Sequence, residues 1–333
     1  MSRKTYRKTI VTKELLEQIN PINKDLMKKF LKEKTTRSSP TTIKNYTSSA
    51  NIFFVYNLIY NENKAFTDIT KLEFSDFFSF TTEELKWGSA RNNGVRSLLS
   101  SLSIFIEKFL DSEYPGFRNI VLKTIESIPK EFRREKTVLS NEQVENLLRH
   151  LSETDSQHAC WLSLAAYSGS RFSELLRFTV DLIDENNTAF GDIFLETTRK
   201  IPTKGRGKSG KLLLKYIIKD KYLPYHRKWI EDRKLIIEKN KIEDHGFLFI
   251  KSDGSPAVEG TIRSWVSTME SWLGINLYPH ALRHFLVSEF SRRKIPTNLT
   301  KDIVGWESES MVALYDDTSS KDREWKELDN LKQ

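Results

Sequence analysis

Residues Tyr278 to Tyr315 read YPHALRHFLVSEFSRRKIPTNLTKDIVGWESESMVALY, and the reading of the rest of the chain turns on this stretch. Pro279 suits the first turn of a helix, where its missing N–H costs nothing. Residues three and four apart share a helix face, so His280, Arg283 and His284 are presented together, with Ala281, Leu282, Phe285 and Leu286 left for packing. Two imidazoles could hold a metal, but a guanidinium between them repels a cation and no carboxylate is spaced to help. An oxyanion or phosphate is the better guest, against the alternative of a structural capping cluster. Farther on, Thr297 to Val304 reads as a short helix ended by Gly305. Trp306 follows, and then a second short helix holding Met311, Val312, Leu314 and Tyr315.

Upstream, Ile193, Leu195 and Thr197 alternate with Phe194, Glu196 and Thr198, while Leu212, Leu214, Tyr216 and Ile218 alternate with lysines. The two segments read as a β pair. Between them lies the basic turn Lys204-Gly-Arg-Gly-Lys-Ser-Gly-Lys211, which contains a G-x-G-x-x-G match at Gly205, Gly207 and Gly210. A dinucleotide fingerprint needs a helix directly after the glycines, and here a strand follows. A Walker A loop needs glycine where Pro202 stands. What remains is a hairpin tip whose Lys204, Arg206, Lys208 and Lys211 suit a phosphate backbone, or else a soluble turn. Ser140 with Gln143 three residues later starts a fresh helix after the charged segment Pro129 to Lys136, which marks a domain boundary. The residues beyond it read as helices at about 140–151 and 156–167, another from about 171, the β pair, and further helices.

The amino-terminal part is helical throughout. Pro40 opens a helix whose Ile43, Tyr46, Ala50, Phe53, Phe54 and Asn57/Leu58 recur at three and four residues. Further helices are expected around 71–86, 89–110 and 117–127. The expected organisation is a basic tail over 1–11, a helical domain over 12–128, a linker over 129–136, a mixed α+β domain over 137–315 and a tail over 316–333. The fold class is therefore mainly α with a small β-sheet. Trp161, Trp229, Trp265 and Trp272 sit in apolar patterns and read as core, and the single cysteine, Cys160, reads as buried and inert.

With 333 residues, 20 Phe, 11 Tyr and 7 Trp, the chain has enough apolar surface for two cores, and one cysteine excludes internal disulfides and thiolate metal clusters. Its longest apolar run, Ile52 to Tyr60, is about half the ~20 residues that span a bilayer, and the basic start lacks the apolar segment of a secretory signal. The formal charge of +8 is concentrated. Residues 1–40 hold eleven Lys or Arg against four acids, and residues 199–234 thirteen against three. Such a footprint points to a polyanion.

The carboxyl-terminal pattern resembles the tyrosine recombinases of the phage-integrase type, whose signature is His-x-x-Arg, a Gly followed by His or Trp, and a nucleophilic Tyr. Here these are His280-Ala-Leu-Arg283, Gly305-Trp306 and Tyr315, with 23 residues from Arg283 to Trp306 and nine from Trp306 to Tyr315. The resemblance also asks for an Arg in a Gly-x-Arg-x-x-Glu-Leu context, and Gly169-Ser-Arg171-Phe-Ser-Glu174-Leu175 supplies it. It implies a helical core-binding domain, like Ser39 to Tyr46 here, followed by an α+β catalytic domain. It further implies Arg171, Lys204, His280, Arg283, Trp306 and Tyr315 as catalytic residues, with Lys208 and Lys211 as rivals for the lysine. Arg206, Lys208, Lys211 and Lys44 are then candidates for DNA contact, and Glu174 and His284 for support.

The implied reaction is site-specific strand exchange through a 3′-phosphotyrosyl link on a double-stranded DNA recombination site, in the service of a mobile element, with neither metal nor other cofactor. Implied too are a homotetramer on two DNA sites, an accessory directionality factor, a carboxyl-terminal tail that docks on a neighbouring protomer or on its own domain, and a cytoplasmic, nucleoid-associated protein with no membrane partner. The rival expectations are a type IB topoisomerase-like relaxing enzyme and a catalytically silent DNA-binding regulator of the same fold.

Overall fold

The computed structural model describes residues 10–121, 125–127, 129, 137–203 and 210–315. It divides into two compact units, one within residues 2–134 and one within 135–205 and 210–333.

In the first unit each helix starts where the sequence supplies a cap. Helix α1 (Lys13–Gln18) begins at Thr12, whose hydroxyl accepts from the Leu15 N–H, and α2 (Pro21–Thr35) begins at Asn20 with Pro21 in its first turn. Helix α3 (Pro40–Tyr60) is capped by Ser39, and α4 (Lys71–Glu83) by a reciprocal Thr70–Glu73 capping box. Helix α5 (Ser89–Phe109) completes the described helices of this unit that exceed a single turn. The stripe expected on α3 faces the core, with Ala50, Phe53 and Phe54 buried. Phe53 stacks on Phe74 and meets Phe77 edge-on at 5.0 Å between centroids. Of the helix expected over 117–127, residues 117–120 and 125–127 are not helical and 122–124 lie outside the described residues; Val121 is buried and Phe117, Ile120 and Ile125 pack on the core.

The second unit is built around α7 (Ser156–Ser168), which is buried from Ala159 to Ser168. Against it pack α6 (Asn141–Thr154), α9 (Lys219–Asn240) and α11 (Pro279–Arg292). Helix α6 starts at the expected Ser140–Gln143 capping box. The short α8 (Phe172–Leu175) follows α7, and α10 (Glu259–Leu273) joins the same core. Helices α12 (Thr297–Val304) and α13 (Ser310–Tyr315) flank Gly305, which ends α12 at φ +78°. Among the described residues no helix is long and apolar enough to cross a membrane.

Two expectations need correction. The single β pair is two sheets: β1 (Thr188–Ala189), β2 (Phe194–Glu196) and β5 (Tyr216–Ile218) form one antiparallel sheet in the order β1-β2-β5, and β3 (Ile201–Thr203) pairs with β4 (Lys211–Leu213) in another. The break falls at residues 197–200 and 214–215, where the Thr197 hydroxyl accepts the Lys215 N–H at 3.0 Å and Lys215 O accepts the Thr197 N–H at 3.0 Å. That crossing also inverts the expected faces, because Leu212 is exposed whereas Lys215 and Ile217 are buried. Of the four tryptophans read as core, Trp161, Trp229 and Trp265 are buried, but Trp272 is exposed and stacks on His150 at 4.8 Å. Its place near the carboxyl end of α10 turns it away from the core. Cys160 is buried as expected, and burial pushes its thiol up to about 12.

Candidate active site

Helix α11 carries the His-x-x-Arg stripe, with Pro279 in its first turn as the sequence predicts. The opposite face is core (Ala281, Leu282, Phe285), and Arg283 is drawn inward until only 1% of it is exposed. Its Nη1 donates to the carbonyl of Gly169, at the carboxyl end of α7. Gly169 sits at φ +57°, and a Cβ there would stand 3.0 Å from Leu286 Cδ2 and 3.3 Å from Val304 Cγ2. A residue without a side chain is therefore what lets α7 end against α11 and α12 and turn its carbonyl to Arg283.

Two residues on, Arg171 enters the same place. Glu174 accepts from the Arg171 backbone N–H through Oε2 and from its Nη1 through Oε1, both at 2.9 Å. The carboxylate thus fixes both ends of the arginine. Burial alone would push the Glu174 carboxyl up, but Lys215 and Arg171 more than offset this and hold it below its ordinary value.

Above Arg283 lie two rings. The guanidinium carbon is 4.7 Å from the Trp306 ring centre and 5.7 Å from that of Tyr315, and the two rings are 4.8 Å apart. His284 stacks on Tyr315 at 4.4 Å and donates from Nδ1 to the Tyr315 carbonyl at 3.1 Å. The His280 ring lies 6.5 Å from the Tyr315 ring. Arg171, Glu174, His280, Arg283, His284, Trp306 and Tyr315 are therefore brought together from α8, α11, α13 and the corner after α12.

The hydrogen-bond ledger of this cluster does not close. Among the described residues Arg283 Nε and Nη2, and Trp306 Nε1, are buried without a hydrogen-bond partner. Buried donors left unmade are costly. Burial, with the positive charge of Arg171 adding to it, pulls Arg283 down to about 10. It remains a cation at neutral pH, its charge favoured by the nearby Glu174 carboxylate. Two guanidiniums, an indole N–H and an imidazole around one phenol suit an oxyanion such as a phosphodiester.

The remaining expected residues fall elsewhere. Lys204, Arg206 and Lys208 lie outside the described residues, Lys211 is exposed at the start of β4, and Lys44 is exposed on α3 in the first unit. One residue was missed. Lys215, read as part of a solvent-facing alternation, is 1% exposed with its Nζ 2.7 Å from Glu174 Oε2. The signal for it was faint: one lysine between Leu214 and Tyr216 in an otherwise apolar run.

The same arrangement of elements occurs in known structures. The XerH site-specific recombinase bound to palindromic difH substrate superposes with a TM-score of 0.67 at 17% identity, covering 92% of this chain and 84% of that one. The Tn1549 transposon integrase in complex with transposon right end DNA gives 0.65 at 14%, covering 94% and 99%. A lambda integrase dimer bound to a COC′ core site gives 0.58 at 17%, covering 90% and 96%. No curated protein matches the sequence. The sequence profile of the phage integrase family matches residues 137–322, more than half of the chain and all of the cluster just described from Arg171 to Tyr315. The chain belongs to the phage integrase family and is a site-specific tyrosine recombinase.

Proposed function

We propose that this recombinase cleaves and rejoins double-stranded DNA through Tyr315. The observation that carries the reading is the gathering of a phenol, two arginines and an imidazole around buried donors that have no hydrogen-bond partner among the described residues. The phenol attacks phosphorus, a 3′-phosphotyrosyl bond forms, and the bond to the 5′-oxygen breaks. The phenol must lose its proton as it attacks, and we assign His280 to receive it. Arg171 and Arg283 hold the non-bridging oxygens, where charge grows in the transition state. The leaving oxygen takes a proton from a lysine between β3 and β4 or at the start of β4, with Lys204 the first choice and Lys208 and Lys211 its rivals. Glu174 and His284 act through Arg171 and Tyr315. Attack of a 5′-hydroxyl from another strand reverses the step, so bond energy is conserved and no nucleotide is consumed.

Exchange between two duplexes breaks four strands, and each tyrosine holds one, which supports a homotetramer on two sites. An accessory directionality factor fits a reaction that is otherwise reversible. Lys44, Arg206, Lys208 and Lys211 are assigned to DNA contact; each phosphate they neutralise releases counterions, so affinity is expected to fall steeply with salt. The deciding experiment is incubation with a nicked duplex from the DNA flanking the gene. Wild type is expected to give a covalent adduct on a denaturing gel and Tyr315→Phe none. Strong binding with no adduct on any substrate, supercoiled DNA included, overturns the reading in favour of a silent DNA-binding protein.

A further inference from the structure

We propose that Lys215 is a positioning residue for strand cleavage, a buried cation that holds Glu174 ionised and thereby keeps Arg171 aimed at the scissile phosphate. The inference rests on the Tyr315 reading above and adds a residue to it. Lys215 is distinct from the lysines of the β3–β4 turn, since it lies past β4, in the crossing between the two sheets.

Three observations carry it. The first is anchorage: the backbone of Lys215 is tied to Thr197 in both directions at 3.0 Å, so the position of the side chain is set by the sheets. The second is the company it keeps. Lys215 Nζ is 2.7 Å from Glu174 Oε2, the same oxygen that accepts the Arg171 N–H, while Glu174 Oε1 takes the Arg171 guanidinium. Beyond the ion pair, the ammonium has no hydrogen-bond partner among the described residues. The third is the corner above it, where a Cβ on Gly305 would stand 2.8 Å from Leu213 Cδ1 and 3.9 Å from Lys215 Nζ. Lys215 therefore lies under the backbone that delivers Trp306, and it links α8, the sheet crossing and the α12 corner.

The electrostatics explain why a lysine is needed there. Glu174 is fully buried, and a carboxylate in such a place reverts to the neutral acid unless cations compensate it. The charged groups facing the pair are Arg171 from α8 and Arg283 from α11, with Tyr315 beside Arg283. Burial pulls the Lys215 ammonium down, Glu174 pulls it up, and the two arginines push it down again. An apolar residue at 215 leaves Glu174 to Arg171 alone. Its carboxyl then rises, protonates within the working range, and loosens its hold on Arg171.

The test compares wild type, Lys215→Met, Glu174→Gln and the double variant on one nicked duplex, by single-turnover formation of the Tyr315 adduct. Lys215→Met is expected to slow cleavage by about thirtyfold with DNA affinity within about twofold, a loss typical of disturbed positioning. Because Glu174 regains its charge as pH rises, the ratio of variant to wild-type rate should climb about tenfold from pH 6 to pH 8.5. In the Glu174→Gln background the same substitution should cost less than about threefold and show no pH-dependent ratio, as expected for a coupled pair. Lys215→Gln, which keeps a hydrogen bond to Glu174 without the charge, should follow Lys215→Met.

Equal costs in both backgrounds mean that Lys215 acts without Glu174, and a wild-type rate in Lys215→Met means that it does not act; either overturns the proposal. A second arm needs no DNA. In Lys215→Met the buried carboxyl is raised above its unfolded value, so stability is lost as pH climbs from about 4.5 towards neutrality, and adding Glu174→Gln abolishes that loss. Parallel melting curves for the single and double variants would show that the pair is not coupled, and the proposal fails. A wild type that forms no adduct although the coupling is present faults the Tyr315 reading instead, and takes the cleavage role of Lys215 with it.

Discussion

Among the described residues two arginines of the carboxyl-terminal unit are buried, and the regions around them treat the charge in opposite ways. Arg233, on α9, is closed: Nε donates to the Phe247 carbonyl at 3.0 Å, Nη1 to Asp244 Oδ2 at 2.9 Å and Nη2 to Asp244 Oδ1, and the Asp244 carboxyl is held below its ordinary value chiefly by that hydrogen bonding. Arg283 is open: Nη1 donates to the Gly169 carbonyl, Nε and Nη2 have no hydrogen-bond partner among the described residues, and the charges that act on it include those of Arg171 and Glu174. Both are 5% exposed or less, so burial alone does not separate them. What separates them is the unspent donor capacity. A buried charge with all its partners braces a fold, whereas one with donors left over fits the phosphate-binding role proposed above for Arg283.

The largest effect expected from that contrast is on chemistry. Arg283→Met should lower the rate of adduct formation by about 10³-fold, the scale of losing a donor aimed at developing charge. It should leave the melting temperature unchanged or higher, because an apolar side chain of similar length relieves a buried cation two of whose donors make no hydrogen bond among the described residues. A variant that melts well below wild type would break the contrast, since Arg283 would then be bracing the fold as Arg233 does.

How much of this was legible follows the range of each interaction. Local signals read true: Pro279 in the first turn of α11, Gly305 ending α12, and the Ser140–Gln143 box opening α6 are settled by a few neighbours in sequence. The stripe of α3 also read true, because a helix period over 21 residues leaves little ambiguity. The split of one β pair into two sheets did not, because alternation gives no hint of where strands cross. That error hid Lys215, whose face is decided by a hydroxyl 18 residues away. The bond from Arg283 to Gly169 spans 114 residues and had no sequence signal at all. Residue types for phosphate chemistry could be read from the chain; which of them lacked partners could not.

A third buried titratable group extends the comparison to pH. His226, on α9, has its Nδ1 2.9 Å from the Tyr222 hydroxyl, and burial pulls its imidazole down to about 4, against a weaker pull upward from Glu185. The folded state thus favours neutral imidazole while the unfolded chain takes a proton below about 6.5. Stability is therefore full above that pH and is lost as pH falls from about 6.5 towards 4, by about 3 kcal/mol in all. His158 is pulled down by burial as well, so the contribution of His226 is read as the difference between wild type and His226→Gln across that window. A difference that stays constant from pH 7 to pH 4.5 would show that His226 does not titrate between the folded and unfolded states.

The complementary substitution at the closed arginine should act on the fold alone. Arg233→Met removes three hydrogen bonds and leaves Asp244 without its cation, but Asp244 is exposed enough to be rehydrated. The expected loss is about 2 kcal/mol of stability, with the rate of adduct formation unchanged once the protein is folded. A slowed rate in a fully folded Arg233→Met would mean that the brace also sets the site, and the two regions could no longer be treated as independent.

The smallest effect tests whether the open donors work singly. Trp306 shares the cluster, its ring over Arg283 and against Tyr315, and its buried Nε1 lacks a partner among the described residues. Trp306→Phe keeps an aromatic ring in both contacts and removes that one N–H. If the indole donates to the phosphate as the arginines do, adduct formation should slow by about tenfold, the scale of one neutral hydrogen bond, and Trp306→His, which restores a ring donor, should recover part of the loss. If Trp306→Phe cleaves at the wild-type rate while Trp306→Ala does not, the ring serves only to seat Tyr315, and the unspent capacity belongs to Arg283 alone. The distinction is physical: a donor shows itself in the rate when the N–H is removed from an intact ring, whereas a packing surface shows itself only when the ring goes too.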